Sequence, residues 1–232
     1  MTTKKRFDDD LGAARARLLE MGAACEEMVH YAVKVLTERD PSRIDEVRRR
    51  EELVNRLHVE VDERCLQLLA LYQPAAGDLR TIAAALKIST DLERIGDQAM
   101  NIAETGLFFL EQPRMRLFDI PRMAELAAAM LKDGLDAFTR GDVEKARAVL
   151  QRDDEEDALK SRVFNELMQL MQADASTIQR GIDIILVARN LERIADHATN
   201  IAEDVIFMVA GKDIRHGAGV GNPDSGLPGG SK

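Results

Sequence analysis

Tryptophan is absent from the 232-residue chain, tyrosine occurs twice, and aromatic residues make up 4% of the whole. Prolines number six, and six of the fifteen glycines fall in the last sixteen residues, so most of the chain has few breakers. β-Sandwiches and barrels draw on aromatic and β-branched residues and on frequent turns, and this scarcity argues against them. Two cysteines, Cys25 and Cys65, stand forty residues apart. That spacing excludes a disulfide scaffold and any CxxC-type site, and both read as reduced thiols packed in helices. No apolar run approaches the roughly 20 residues of a membrane span, and the basic residues at 4–6 are not followed by the apolar stretch of a signal peptide. Basic residues are outnumbered 32 to 41, a formal net charge of −9. A nucleic-acid binder would show a basic face, so no direct nucleic-acid contact is expected. A Gly-rich phosphate loop, a GxSxG elbow and an HExxH motif are also missing, as is any nucleophile beside a positioned base. These absences leave a cytoplasmic protein that is not an enzyme.

Alanine, leucine, arginine and the two acids dominate what remains, and these are helix formers or helix-terminus residues. Proline, glycine and capping residues punctuate the chain at intervals, at Pro41, Gln73-Pro74, Pro113 and Pro121, Gly141-Asp142 and Asp174-Ala175-Ser176. The segments between predict six long helices near 9–38, 42–72, 77–111, 121–139, 142–172 and 176–211. The composition of 217–232 predicts a flexible tail.

An internal repeat organises these helices. Residues 91–104, DLERIGDQAMNIAE, recur as 190–203, NLERIADHATNIAE, with ten of fourteen positions identical at a spacing of 99. A weaker pair, 51–55 against 153–157, recurs at a spacing of 102. The chain therefore reads as all-α, with two tandem, pseudo-symmetric three-helix bundles over 8–112 and 118–216 followed by the tail at 217–232.

The repeat carries acids in an apolar setting. On a helical wheel Glu93 and Asp97 lie among Leu79, Ile82, Leu86, Leu107 and Phe108, while Ile88, Leu92, Ile95, Ala99 and Ile102 cover the opposite side. The second copy repeats the arrangement around Glu192 and Asp196. A helix apolar on two sides is the middle member of a layered bundle, so its carboxylates are expected to be partly shielded. Folding each copy as an antiparallel hairpin about Pro74 or residues 174–175 sets Glu51 and Asn55 opposite Glu93 and Asp97, and Asp153 and Asp157 opposite Glu192 and Asp196. Carboxylates i,i+4 apart share a face and can bridge cations, with Asn101, His197 and Asn200 as candidate auxiliary ligands or as partners that orient the ligands. Arg94 and Arg193 lie in the same motifs, and salt bridging to them is the plainer alternative. Glu27-x-x-His30 is half of a di-iron pattern, which needs the pair twice, and reads as incidental surface.

The doubled ER-I-x-D motif with its Asn-Ile-x-Glu continuation resembles the PhoU family. So do Met21-Gly22, Cys65 with Tyr72-Gln73-Pro74, Asp78-Leu79-Arg80, and 211–216, GKDIRH. The likeness spans about residues 8–216. It implies a pair of three-helix bundles, a homodimer, and multinuclear metal clusters of iron, zinc, manganese or magnesium held by E(D)xxxD motifs. By position those ligands are Glu93, Asp97, Glu192, Asp196, Asp153 and Asp157, with Glu51 in the first copy, where Asn55 departs from the acidic pattern. It further implies a negative regulator of the phosphate-starvation response. Such a protein associates peripherally with membrane complexes, linking the ATPase subunit of a phosphate ABC transporter to a phosphate-sensing histidine kinase. Two other classes stay open, a metal-storage or di-metal redox bundle and a metal-free structural adaptor.

Overall fold

The structure, a computed structural model, describes residues 3–212 and Ile214. The tail expected over 217–232, with Asp213, Arg215 and His216, lies outside the described residues. Three long helices form the first bundle: α1 (Thr3–Thr37), α2 (Arg43–Tyr72) and α3 (Ala76–Leu110). The second contains α4 (Ile120–Arg140), α5 (Val143–Leu150), α6 (Asp153–Ala173) and α7 (Ile178–Ala210), with a 3₁₀ turn at Ala175–Thr177. No strand occurs among the described residues. The all-α architecture of two tandem three-helix units is as the sequence predicts.

One expected helix is divided. The segment 142–172 breaks at Gln151-Arg152 into α5 and α6, though the repeat register of 102 residues continues through the break. Buried Ile44 and Val47 of α2 correspond to buried Ala146 and Val149 of α5, and Leu57 and Val61 to Leu159 and Val163 of α6. Neither Gly nor Pro marks the break. A backbone turn makes it, with the Arg152 amide donating to the Val149 carbonyl (3.0 Å). The Arg152 guanidinium is held from α4 by Asp133 (2.8 Å), which also receives Lys145 of α5 (2.6 Å).

Helix ends follow local chemistry. Gly141 ends α4 at φ +63°, a left-handed conformation that costs glycine little. Asp142 then caps α5 by accepting from the Lys145 amide at 2.9 Å. Asp174 accepts from the Ser176 amide at 2.9 Å in the second hairpin turn.

The middle helices α3 and α7 run antiparallel along one another and join the two repeats. Their seam carries the Arg80 guanidinium on the Met208 carbonyl (3.2 Å), Lys87 on Asp204 (2.9 Å) and Gln112 on Asp183 (2.9 Å). Near its middle, Asp91 pairs with His197 (2.8 Å) and accepts from Asn200 (3.2 Å). Ile88, Leu92, Ile95, Ala99 and Ile102 are fully buried, as are Val187, Leu191, Ile194, Ile201 and Val205. The stripe around Glu93 is less covered, with Leu79 and Phe108 exposed at its ends. A second contact between repeats brings α1 against α4 at Gly22. There a Cβ atom would lie 2.4 Å from Leu135 Cδ1.

Both cysteines are buried and free, as expected. The Cys25 thiol donates to the Leu92 carbonyl at 3.2 Å, and burial pushes its pKa up.

Candidate functional site

Each hairpin brings its acidic motifs together. In the second repeat, Asp153, Glu156 and Asp157 on the first turns of α6 lie near enough to Glu192 and Asp196 on α7 for their charges to act on one another, and Lys160 bridges Asp157 to Glu192. Burial and then Asp157 raise the pKa of Asp153 above the ordinary carboxylate range. Asp196 keeps an open face, yet desolvation and then Glu192 and Asp153 raise it too, with His197 opposing. Lys160 donates to Asp157 (3.0 Å) and to Glu192, placing one ammonium among five acids.

In the first repeat Glu51 lies within reach of Asp97 and Glu104, and burial followed by those two charges raises its pKa. Glu93 and Asp97 are both approached by Arg94, at 3.4 and 3.5 Å. Asn55 is exposed. The salt-bridging alternative thus describes part of the arrangement. Arg94 serves the first copy, while Lys160 rather than Arg193 engages the second.

The weaker candidates are placed as follows. His197 and Asn200 turn to Asp91 across the α3–α7 seam and so tie the repeats together. Asn101 stands exposed. Glu27 and His30 are exposed, in keeping with the surface reading, with Glu27 engaged by Arg50 of α2 and His30 stacked edge-on with Tyr31 at 5.6 Å.

Sequence reasoning missed Glu156. Its side chain is 1% exposed, and neither carboxylate oxygen has a hydrogen-bond partner. Burial, then Glu192 and three further acids, push its pKa up to about 8. The signal was present in the repeat register. At a spacing of 102 residues Glu156 stands where the first copy has buried Val54, in the core row continued by Leu159, Val163 and Leu167.

Among the described residues no group of three or more His, Cys, Asp or Glu side chains is placed to hold a metal ion as it stands. The donor set is nonetheless all oxygen, which suits hard and borderline cations. The second copy sets five carboxyls against one ammonium and leaves one buried acid without any donor. In chemistry and charge it fits a cation. The first copy, with Asn55 and Arg94, fits less well.

The PhoU domain family matches the chain twice, over residues 18–106 and 120–205. A Pseudomonas putida protein described as a phosphate-specific transport system accessory protein PhoU homolog is 39% identical over 215 residues, covering 91% of this chain and 84% of that one. A Caulobacter vibrioides protein of the same description is 38% identical over 214 residues, covering 91% and 93%. The crystal structure of PhoU from Pseudomonas aeruginosa superposes with a TM-score of 0.85 at 37% identity, covering 89% of this chain and all of the other. The phosphate transport system regulatory protein PhoU from Streptococcus pneumoniae gives 0.84 at 26% identity, covering 90% and 99%.

Proposed function

The chain belongs to the PhoU family, and we propose that it is an accessory and regulatory protein of phosphate-specific transport, acting through partners rather than as an enzyme. The observation that carries this reading is the match of both repeats to the PhoU domain, together with relatives of that description along nine-tenths of the chain. The finer reading is a cytoplasmic negative regulator, a homodimer that associates peripherally with membrane complexes. It relays the state of the transporter, through its ATPase subunit, to a sensor histidine kinase. An acidic chain of two fused bundles suits such a role because it presents long helical faces to two partners at once. Charge pairs at the rim of such contacts are screened, so binding should weaken as salt rises.

Deleting the gene tests the reading. Phosphate-starvation genes should then stay on in high phosphate, and silencing the kinase should restore repression. Normal repression in the deletion strain would overturn the proposal. Binding of the purified protein to the promoters at physiological salt would overturn the route through partners. Light scattering checks the dimer.

The acidic rows are part of the proposal as cation sites able to hold multinuclear clusters. Asp153, Asp157, Glu192 and Asp196 would hold the fuller site, and Glu51, Glu93 and Asp97 the lesser one. A bound cation would supply the positive charge that cancels repulsion between these carboxylates. The acids of each row lie on two helices of a hairpin, so charge compensation there would stiffen it. Lys160 and Arg94 give part of that compensation already.

A further inference from the structure

Three acids are buried in the described part of the chain, and two of them have donors. Asp183 accepts from Gln112 (2.9 Å) and Gln179 (3.2 Å), and Asp204 from Lys87 (2.9 Å). Glu156 has none, although it is the most buried of the three. Its neighbours make matters worse, since Glu192, Glu155, Asp153 and Asp157 are all of its own sign. The one ammonium in the cluster, that of Lys160, is spent on Asp157 and Glu192. An unpaired buried carboxyl group is costly whether it ionises or keeps its proton, whereas a valine at the same position packs without that penalty. The first repeat has that valine, Val54, and the rows to either side keep their apolar character in both copies. The second repeat therefore departs from its own pattern at one core position, beside its richest set of acids.

We propose that Glu156 is an inner cation ligand of the second repeat, reaching from the bundle core toward the row formed by Asp153, Asp157, Glu192 and Asp196. This inference rests on the reading of that row as a cation site and adds to it a ligand that the ExxxD spacing does not predict. It makes the two repeats unequal in depth as well as in number of acids. The second holds its cation partly inside the bundle, where water competes less and bound charge is felt more strongly. The first, closed at its base by Val54, holds a cation only at the surface.

Mn²⁺ titration of the full chain, stripped with chelator and followed by the electron paramagnetic resonance of free Mn²⁺, tests the assignment. Glu156→Val installs the residue of the first repeat, and Glu156→Gln keeps the shape while removing the charge. The valine variant should melt at a higher temperature than wild type when metal-free, and should bind Mn²⁺ at the second repeat at least tenfold more weakly. The glutamine variant should also lose affinity. Unchanged Mn²⁺ affinity in both variants, with wild-type binding intact, would overturn the role of Glu156 and leave the surface row standing. Failure of the wild-type protein to bind Mn²⁺ at all would remove the row and the inference together.

Discussion

Replacing Asp91 with alanine should loosen the seam between the repeats by an amount the structure allows to be worked out. The change removes two hydrogen bonds, from partly buried His197 at 2.8 Å and from exposed Asn200 at 3.2 Å. The side chains of Asp91 and His197 are 16% and 17% exposed, so water relieves part of the loss. Each bond contributes on the order of 0.5–1.5 kcal/mol net, so the variant should lose about 1–3 kcal/mol. For a chain of this size that is a fall of roughly 3–10 °C in Tm. Thermal and urea unfolding of chelator-treated protein measure it, with metal removed because His197 adjoins Asp196. A cycle with His197→Ala isolates the pair, and the coupling should be about 0.5–2 kcal/mol. A shift within experimental error, or strict additivity of the two changes, would refute the claim that this pair fastens the repeats.

Asp196→Asn should reduce bound Mn²⁺ more than Asp97→Asn, because the second repeat has more acids and Arg94 already serves the first; equal losses by elemental analysis would sink that asymmetry. Gly22→Ala places a Cβ atom 2.4 Å from Leu135 Cδ1 and should cost about 1–3 kcal/mol in urea unfolding, part of it regained in combination with Leu135→Val. For Asp133, burial raises the pKa, but hydrogen bonds from Lys145 and Arg152 outweigh it, and the folded-state value lies below the ordinary one. Its contribution is therefore present above the unfolded value and lost as pH falls through the folded one. Asp133→Asn should be about 1–2 kcal/mol less stable than wild type at pH 7, a gap that closes as pH falls below the ordinary aspartate value and through the lowered folded one. A gap that widens in acid would contradict the sign.

Helix ends were legible in the sequence wherever the backbone chemistry is local. Gly141 with Asp142, and Asp174 with Ser176, announce their turns because one side chain or one left-handed residue suffices to make them. The opposition of Asp153 and Asp157 to Glu192 and Asp196 was legible for a related reason. Hairpin symmetry about a known turn fixes which residues share a height. The break at Gln151-Arg152 was not, since neither Gly nor Pro marks it and the tie that holds Arg152 comes from Asp133 on another element. The use of His197 at the seam was hidden in the same way, because its spacing from Asp196 is the same whichever neighbour it turns to. Glu156 sat in plain view within a run of five acids and looked like one more surface charge. Only its alignment with Val54 distinguishes it, and that comparison needs both copies read in register.

The α3–α7 seam has the geometry of an isologous contact, in which two like surfaces meet about a twofold axis. In an assembly of separate identical subunits every bond across such an axis occurs twice, and neither copy can change alone. Joining the two units in one chain lifts that restriction. Asp91 and His197 have as their register mates Asn190 and Gln98, at the same spacing of 99 residues, and there the bond is not repeated, since the Gln98 Oε1 is buried without a partner. A fused pair of this kind can give its halves different work while keeping a common frame.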